Sequence, residues 1–523
     1  MGVYLNPGNE LFRMDINSQI YVDKTELIEN TNRLIGSQQR FVCVSRPRRF
    51  GKSMTANMLA AYYGRDCSSA ELFDCFRIAN SCTYREHLNK YHVIALNMQN
   101  FFSLIKNVGE AIEFLQSELL EELTEYFSVV SGKPKFLAPV LEKIYNMTME
   151  GFVFVIDEWD CVLRDKSYIV EDQKKYLDFL RNLLKDRAYV TLAYMTGILP
   201  VKKYGTHSAL NMFIEYSMTE PRQFASYVGF TEQEVVELCD LNQMDYAEMQ
   251  SWYDGYVFPK VSHIYNPKSV VEAILSKHYS NYWTRTETFE ALKVYIKLNY
   301  DGLKESVVQM LAGKHLAINT RSFQNDMMTF DNKDDILTLL VHLGYLSFDQ
   351  EKSEVFIPNK EIQDEFETAV RSCKWQEVIS AIENSDKILQ ATWNMEEEKV
   401  ANLISKAHSE NTSILTYNDE NALSCVVALA YYSAQNEYTR IREFPGGEGF
   451  ADIVFLPRKS SNKPALVVEL KYNRNASGAI EQIRKKKYAE ALSEYKGNML
   501  LVGINYDRKS KEHECRIERF YKE

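Results

Sequence analysis

The sequence feature that most constrains the fold is residues 41–53, FVCVSRPRRFGKS. A short apolar run ends in a polar turn that closes with Gly-Lys-Ser, and residues 54–63 then carry apolar side chains at helical spacing. Strand, loop and helix in this order are typical of a phosphate-binding P-loop, in which backbone N–H groups and the helix N-terminus face the phosphates. The sequence therefore predicts an α/β domain built on the parallel sheet of a P-loop NTPase.

Three side chains of this loop carry specific expectations. Lys52 is expected to reach the β- and γ-phosphates, and the Ser53 hydroxyl is expected to bind Mg²⁺. Arg46 stands where the first Gly of G-x-x-x-x-G-K-[ST] belongs. Because a residue with a Cβ does not enter a positive-φ turn cheaply, the first corner of the loop must differ from the usual one. The alternative interpretation is a basic turn in front of an amphipathic helix.

Residues 151–158, GFVFVIDE, have the pattern of a Walker B strand. Five apolar residues that lead directly into two acids indicate a central parallel strand, whose carboxyl end lies at the ligand-binding edge of an open α/β sheet. Asp157 is predicted to hold Mg²⁺, and Glu158 to orient or deprotonate the attacking water. Thr196 follows a further strand at 190–195 and is a candidate sensor of the γ-phosphate. The alternative is a plain strand-to-loop turn with Gly197.

Residues 20–25, IYVDKT, precede a short amphipathic helix. Asp23 and Lys24 are candidates for a position over the nucleotide base. The spacing supports equally a capping turn, in which Asp23 or Thr25 accepts hydrogen bonds from the free N–H groups of the helix.

The middle of the chain, about 230–390, is predicted to be mainly helical. A helix over 335–342 is followed by two strands, 345–348 and 355–358, across a polar turn. This order suggests a winged-helix unit. No basic recognition helix is apparent in this segment, so the sequence favours a structural role over DNA binding.

A second constellation lies near the C-terminus. Asp452 sits in a strand at 451–455, and Glu469 and Lys471 sit in a strand at 465–471. Alternate side chains of a strand share a face, so Glu469 and Lys471 point the same way, and Asp452 on a neighbouring strand is close enough to share an ion. Hard oxygen ligands suit Mg²⁺ or Mn²⁺. The alternative is an exposed pair of charges on one face.

In that interpretation the metal generates hydroxide and stabilises the charged phosphate, while Lys471 orients the water or neutralises the phosphorane. Leu470 is expected to offer a backbone carbonyl ligand, and Glu420 is a candidate further acid. Between Lys471 and Lys487 there are six basic residues and one acid, which fits contact with a phosphate backbone. A helix that carries both Gln482 and Tyr488 is predicted here. The predicted nucleic-acid contacts are Gln482, Arg484, Lys485, Lys487 and Tyr488.

Four motifs, YVDKT (21–25), RPRRFGKS (46–53), IDEWD (156–160) and TGILPV (196–201), resemble those of AAA-ATPase-like proteins of bacteria and archaea that carry a C-terminal PD-(D/E)XK nuclease domain. The resemblance implies that Arg46 is normal for such proteins and that Asp23, Lys24 and Asp160 lie near the site. Their Gly-Arg-x-Asp is Gly-Phe-x-Asp here, with Phe450 in place of Arg. The predicted nucleotide site comprises Asp23, Lys24, Arg46, Arg48, Arg49, Gly51, Lys52, Ser53, Asp157, Glu158 and Thr196.

Composition sets the outer limits. The 523 residues are too many for one core, and the predicted domains are an ATPase domain at 1–225, a helical or winged-helix-like region at 226–390 and a nuclease-like α/β domain at 391–523. A net charge of −11 argues against a uniformly basic nucleic-acid coat. Nine cysteines without a C-x-x-C pair fit a reducing cytosol, and no apolar run approaches the roughly 20 residues that span a bilayer.

These observations predict a cytoplasmic protein that binds and hydrolyses ATP and cleaves nucleic acid, DNA being the expected substrate, in a metal-dependent and nucleotide-controlled way. The expected cofactors are ATP and Mg²⁺, with Mn²⁺ as an alternative at the nuclease centre. Oligomerisation is left open. The alternative is a nucleotide-dependent switch or scaffold whose nuclease-like domain binds nucleic acid without cutting it. A ring-forming ATPase motor is a third possibility, for which the sequence assigns no arginine finger.

Overall fold

The computed structural model describes residues 2–128, 134–201, 210–283, 289–411 without 326 and 328, 420–446, 449–458, and 461–520 without 490, 491, 493, 494 and 496. Contacts group the chain into two compact units. The first comprises residues 1–286 and 317–364, and the second comprises residues 287–316 and 365–523. The predicted boundaries at 225 and 390 stay a prediction.

The first unit is built on a parallel five-stranded sheet in the order β2-β3-β4-β1-β5. The strands are β1 Phe41–Ser45, β2 His92–Asn97, β3 Phe152–Asp157, β4 Val190–Gly197 and β5 Ile214–Tyr216. The accompanying helices are α1 Glu10–Ile16, α2 Leu27–Asn32, α3 Lys52–Tyr63, α4 Ala70–Phe73, α5 Tyr84–His87, α6 Met98–Leu104, α7 Val108–Tyr126, α8 Leu137–Thr148, α9 Cys161–Arg164 and α10 Val170–Leu184.

Strands β1 and β3 are buried along their whole length, which explains their continuous apolar runs. Strand β4 lies between them, so the P-loop after β1, Thr196 in β4 and Asp157 at the end of β3 all reach the same edge of the sheet. Asn97, at the end of β2, pairs in register with Asp157. The predicted P-loop α/β sheet is confirmed.

The chain continues through small sheets and helices. Their bounds are β6 Phe230–Thr231, α11 Glu232–Asn242, α12 Tyr246–Tyr253, β7 Tyr256–Phe258, β8 Val261–Tyr265, α13 Pro267–Ser276, α14 Phe289–Leu298, α15 Leu303–Leu311, β9 Leu316–Ala317, α16 Lys333–Leu343, β10 Ser347–Asp349, β11 Glu354–Phe356 and α17 Lys360–Ser372. The mainly helical middle is confirmed. Helix α16 ends at Gly344 (φ 87°), and the antiparallel pair β10–β11 follows it, as the winged-helix pattern predicted.

The second unit ends in a mixed five-stranded sheet in the order β12-β13-β14-β15-β16, in which only β14 and β15 are parallel. Helix α21 makes the crossover between these two strands. The elements are α18 Gln376–Trp393, α19 Glu397–Asn411, α20 Glu420–Ala430, β12 Tyr438–Gly446, β13 Gly449–Pro457, β14 Ala465–Tyr472, α21 Ala476–Lys485, β15 Met499–Asp507 and β16 Glu512–Phe520. The sheet has an apolar core on each face, one with α18–α20 and one with α21.

One sequence expectation in this unit is wrong. Gln482 lies on α21, but the helix ends at Lys485 and Tyr488 lies beyond it. Lys487 adopts a left-handed conformation (φ 54°), and the Tyr488 N–H bonds back to the Ile483 carbonyl at 3.2 Å. The chain therefore leaves the helix through a left-handed residue, a common way for helices to end.

Among the described residues, no helix has both the length and the apolar character needed to cross a bilayer.

Candidate functional sites

The P-loop presents the open N-terminus of α3. Gly51 precedes the helix with φ 89°, and among the described residues no neighbouring heavy atom lies within 4 Å of the position that a Cβ would occupy there. A helix N-terminus with free N–H groups and open space in front of it is suited to bind a phosphate. The local geometry therefore fits the nucleotide that the motif implies.

Lys52 and Ser53 connect this helix start to the neighbouring strands. The Lys52 ammonium is buried and donates to the Pro47 carbonyl at 2.9 Å. Burial lowers the pKa of Lys52, and the nearby Glu158 and Asp157 carboxylates oppose that shift. The Ser53 hydroxyl donates to Asp157 Oδ2 at 2.7 Å. This hydroxyl and this carboxylate are the pair expected to hold Mg²⁺, and the structure brings them together.

Asn97 is a residue of this cluster that sequence reasoning missed. Its Nδ2 lies 3.4 Å from Asp157 Oδ2, and its Oδ1 is buried without a hydrogen-bond partner. Burial raises the pKa of Asp157, while the Ser53 hydroxyl acts in the opposite direction. The sequence pattern of residues 91–97 predicts a strand. Because parallel strands end at one edge of the sheet, the polar Asn97 at the end of this strand could have been recognised as a candidate site residue.

Glu158 begins the loop after Walker B in a left-handed conformation (φ 52°), and its N–H donates to Asp157 Oδ1 at 2.9 Å. Left-handed non-glycine residues are uncommon and cluster at functional sites. The Glu158 carboxylate forms an ion pair with Arg164, a residue that the motif analysis did not select. Arg164 lies four residues after Asp160 and also contacts it, with Nε 3.1 Å from Oδ2.

The side chains of Asp160 and Thr196 form hydrogen bonds to the protein backbone. Asp160 is fully buried, and its Oδ2 accepts hydrogen bonds from the N–H groups of Ile198 at 3.0 Å and Leu199 at 2.7 Å. Asp160 thus fixes the chain that follows β4. The Thr196 hydroxyl donates to the Val44 carbonyl in β1 at 3.0 Å. The predicted role of Thr196 as a γ-phosphate sensor stays a prediction.

Arg46 occupies the position of the first glycine of the P-loop motif, and its contacts show how the loop accommodates a side chain there. The side chain points into the protein, where it donates to the carbonyls of Tyr216 at 2.8 Å and Phe224 at 3.3 Å and lies over the Phe258 ring. Burial lowers the pKa of Arg46 to about 10. Arg46 therefore anchors the first corner of the P-loop to the chain that follows the sheet.

Arg49 attaches the other side of the loop. It has φ 69° and donates to the Tyr282 carbonyl at 3.0 Å, while its neighbour Arg48 is partly exposed. The buried Glu361 carboxylate at the start of α17 accepts from the N–H groups of Tyr282 at 2.7 Å and Trp283 at 2.9 Å. A chain of hydrogen bonds thus leads from the P-loop to α17 within the first unit.

Asp23 and Lys24 make local contacts in the turn before α2. Asp23 accepts from the Thr25 N–H at 2.8 Å and from the Arg77 N–H at 2.8 Å. Lys24 is largely buried and donates to the Ser226 carbonyl at 2.7 Å and to Glu234 at 2.6 Å. Neither backbone donor belongs to α2, whose N-cap residue Glu26 makes no side-chain capping hydrogen bond. The predicted position of Asp23 and Lys24 over a base stays a prediction.

The C-terminal constellation forms where two strands separate. Strands β13 and β14 pair at only three positions, from Phe455 opposite Leu466 to Ile453 opposite Val468. Beyond them Asp452 Oδ2 accepts the Leu470 N–H at 2.7 Å, in place of a strand partner. The N–H and C=O groups of one strand residue point to the same side, so the Leu470 carbonyl also faces this gap. Asp452 and the predicted carbonyl ligand thus share one edge.

Glu469 is the centre of this cluster. It is 2% exposed, and its Oε1 accepts from Lys471 Nζ at 2.9 Å and from Gln482. Its Oε2 is buried without a hydrogen-bond partner. Burial, followed by the charge of Asp452, raises the pKa of Glu469 to about 7. A buried carboxylate oxygen without a partner beside a second carboxylate is the arrangement that a divalent cation would satisfy.

The donor set fits the implied metal. Two carboxylates and one backbone carbonyl are the hard oxygen ligands that Mg²⁺ and Mn²⁺ prefer. The described residues contain no cluster of three or more His, Cys, Asp or Glu side chains that could hold a metal. The side chain of Glu420, the candidate further acid, lies outside the described residues.

The residues predicted to contact nucleic acid divide into two groups. Lys485 and Lys487 are exposed, and Arg484 is half-exposed and paired with Glu518 at 2.8 Å. Tyr488 is buried and hydrogen-bonded to Gln482, which in turn contacts Glu469. Gln482 and Tyr488 therefore support the Glu469 carboxylate, while the cations remain accessible to a ligand.

The fold and the two sites together define an ATPase-like P-loop unit joined to a nuclease-like unit. Residues 10–206 match the family model described as a predicted AAA-ATPase, and residues 418–515 match the model of the PD-(D/E)XK nuclease superfamily. The chain thus combines an AAA-ATPase-like domain with a PD-(D/E)XK nuclease-like domain. This is the architecture that the motifs predicted.

Individual relatives are distant. A curated protein from Azotobacter chroococcum mcd 1, described as an uncharacterized protein in the vnfD 5' region, is 26% identical over 281 residues, which are 51% of this chain and 51% of the relative. The chain spans about half the length of the curated relative it matches. The solved ORC2 protein of Aeropyrum pernix, in ADPNP–ADP complexes, aligns over 68% of this chain and 97% of its own with 9% identity and a TM-score of 0.30.

The raised pKa of Glu469 predicts how the stability of the metal-free protein depends on pH. The folded state retains a proton on Glu469 up to about pH 7, whereas the unfolded chain loses it near 4.5. The free energy of unfolding therefore falls as the pH rises through this window, and the contribution is lost above it. We expect the melting temperature, measured by calorimetry with a chelator, to be lower at pH 8 than at pH 6.

The Glu469→Gln variant should lose this part of the pH dependence, because the amide does not titrate. Glu481→Gln, at an exposed position of the same helix that carries Gln482, is the matched control and should behave as wild type. Identical pH profiles for wild type and Glu469→Gln would contradict the assignment.

Proposed function

We propose that this protein is an ATP-hydrolysing, metal-dependent nuclease in which the nucleotide state of the P-loop unit controls cleavage of nucleic acid, DNA being the expected substrate. The observation that carries the proposal is the unpartnered, buried Glu469 Oε2 in the gap between β13 and β14, beside Asp452 and with Lys471 on the same strand. The exposed cations at the C-terminal end of α21 and just beyond it supply charges for a phosphate backbone.

In cleavage, Asp452, Glu469 and the Leu470 carbonyl would hold the metal. When bound, a divalent ion supplies a Lewis acid for the phosphate and lowers the pKa of a water. Lys471 would orient the attacking water and balance the negative charge on the phosphoryl group. The water oxygen forms a bond to phosphorus as the bond to the leaving sugar oxygen breaks, and that oxygen takes up a proton. Gln482 fixes the orientation of Glu469 during this step.

In the ATPase unit, Lys52 would contact the β- and γ-phosphates, and Ser53 and Asp157 would hold Mg²⁺, which neutralises phosphate charge. Asn97 would orient Asp157. Glu158 is the proposed base for the attacking water. Since its carboxylate is paired with Arg164, hydrolysis requires this ion pair to open or to rotate toward the water.

Nucleotide control is proposed to travel through Arg49, Tyr282 and Glu361. Phosphate binding at the P-loop changes the position of Arg49, whose hydrogen bond to Tyr282 is linked to Glu361 at the start of α17. The chain passes from the first unit to the second inside this helix, between residues 364 and 365. A shift of Glu361 is therefore a physical route by which ATP affects the nuclease unit.

The second candidate is a nucleotide-dependent switch or scaffold that binds nucleic acid without cutting it. This alternative is favoured by the contacts of Glu469, because Lys471 and Gln482 both donate to its Oε1 and so hold the carboxylate in place without a metal. Cleavage assays of purified protein separate the two functions.

For the nucleotide site, Lys52→Ala should weaken ATP binding about ten- to hundredfold, since hydrogen bonds to charged groups contribute about 1.5–3 kcal/mol. Glu158→Gln should keep binding and lower hydrolysis about 10²- to 10⁴-fold, because the amide does not accept the proton of water. Fluorescent-nucleotide titration and phosphate release measure the two effects. Glu171→Gln, an exposed acid on α10, is the control. Equal loss of binding in both site variants would refute these roles.

For the nuclease centre, Asp452→Asn and Glu469→Gln should abolish cleavage, and Lys471→Met should slow it about 10²- to 10³-fold, by analogy with the loss of one oxyanion-hole donor. The assay digests single- and double-stranded DNA and RNA with Mg²⁺ or Mn²⁺. ATP hydrolysis should remain measurable in all three variants, and Asp507→Asn, at the end of β15, is the matched control. If wild type binds nucleic acid and cuts nothing, the scaffold function replaces the nuclease.

For nucleotide control, Glu361→Gln should retain ATP hydrolysis while cleavage no longer responds to ATP, because an amide cannot accept all the hydrogen bonds that the carboxylate accepts. Ser269→Ala removes only the hydroxyl that donates to Glu361 and gives a milder version of the same change. Glu237→Gln, an exposed acid on α11, is the control. A normal response to ATP in folded Glu361→Gln and Ser269→Ala would exclude this route.

A further inference from the structure

An exposed aromatic side chain lies next to the metal-ligand carboxylates in sequence. Phe450 is 63% exposed, and among the described residues of the segment 391–523 it is the only large apolar side chain that is mainly exposed. Leaving a phenyl ring in water forgoes the free energy of burying it. A single exposed apolar residue is ordinary on a protein surface, so the meaning of Phe450 depends on its position.

That position is on the face of the nuclease centre. Phe450 and Asp452 are separated by one residue in β13, and alternate residues of a strand share a face. Pro445 of β12 is the cross-strand partner of Phe450, so the ring lies near the closed end of the β12–β13 hairpin. The intervening Ala451 is fully buried and packs in the apolar core that includes Ile480 and Ile483 of α21.

Helix α21 lies beside this part of the strand, because Gln482 contacts Glu469 and the Ala451 side chain packs in the same apolar core as Ile480 and Ile483 of the helix. The exposed cations of Lys485, the last residue of the helix, and of Lys487 just beyond it follow Gln482 in the chain. An exposed aromatic ring two residues from Asp452 and accessible cations at the end of α21 therefore lie near the metal-ligand carboxylates. Proteins that bind single-stranded nucleic acid combine the same elements, with cations along the backbone and aromatic rings on which bases stack.

We propose that Phe450 stacks on an unpaired nucleobase adjacent to the scissile phosphate, so that the nuclease centre selects single-stranded or locally unpaired nucleic acid. This inference rests on the proposed nuclease function and adds its substrate class. A base in a duplex already has stacking partners on both sides, so it gains nothing from the ring unless it is first unstacked, which costs free energy. An unpaired base pays no such penalty.

The binding test uses the full chain with Ca²⁺ as the oxygen-ligating ion, and a gel verifies that the oligonucleotide stays intact. Fluorescence anisotropy gives Kd for a labelled 15-nucleotide single strand and for the matching duplex. We expect Phe450→Ala to weaken single-strand binding by about 5- to 150-fold, the range for loss of one base stack, and to change duplex binding less than about twofold. Phe450→Trp should retain single-strand affinity, and Phe450→Leu should fall between Trp and Ala.

A second measurement locates the contact. One nucleotide of the single strand is replaced by an abasic site, and the replacement is moved along the strand. Wild type should lose affinity when the missing base is at one position within a nucleotide or two of the cleavage site, and Phe450→Ala should show no such position. Because the ring is exposed, the variants should fold, and equal melting temperatures verify this.

The outcomes separate this inference from the function on which it rests. If wild type binds the single strand and Phe450→Ala binds it equally well, base stacking by Phe450 is refuted while the nuclease proposal stands. If Phe450→Ala weakens single strand and duplex by the same factor, the ring contacts the backbone and the substrate preference is refuted. If wild type binds neither nucleic acid, both proposals fail.

Discussion

The need to pair every buried charge organises this protein. Arg46 is fully buried and donates hydrogen bonds to three backbone carbonyls, two of which belong to Tyr216 and Phe224 and so fix the P-loop to the chain that follows the sheet. Asp160 and Glu361 are buried acids that accept backbone N–H groups, and each thereby fixes a segment distant in sequence. A buried charge without such partners would cost several kcal/mol. The positions of the loops around the nucleotide site follow from these few pairings.

The two candidate sites differ in how their acidic side chains are brought together and in which of their oxygens have hydrogen-bond partners. In the first unit, parallel strands bring Ser53 and Asp157 together at the carboxyl edge of the sheet, and the hydroxyl satisfies the acid. In the second unit, two strands stop pairing, and Asp452 takes the place of a strand partner for Leu470. Glu469 keeps one oxygen unsatisfied. The raised pKa of Glu469 is the electrostatic consequence of its burial, to which the charge of Asp452 adds, and a bound cation would compensate both negative charges.

Much of the fold and of both sites could be predicted because their signals are local. The apolar runs that form β1, β3 and β14, the Gly-Lys-Ser turn and the alternation of Glu469 and Lys471 depend on a few neighbouring residues. The prediction that one helix carries both Gln482 and Tyr488 was wrong at the C-terminal end of that helix. Apolar spacing continues there, but a left-handed Lys487 ends the helix, and sequence patterns locate helix ends less well than helix interiors.

The sequence by itself determined the class of each domain and the identity of its chemical groups, because the succession of strand, loop and helix, the loop glycine and the positions of the acids are all contained in short segments. Only the tertiary structure decided that Arg46 is an anchor, that Arg164 holds Glu158, and that Asn97 joins Asp157. Each of these contacts joins groups that become neighbours only when separate elements pack. Their energies depend on burial and on partner geometry, which a linear pattern does not contain.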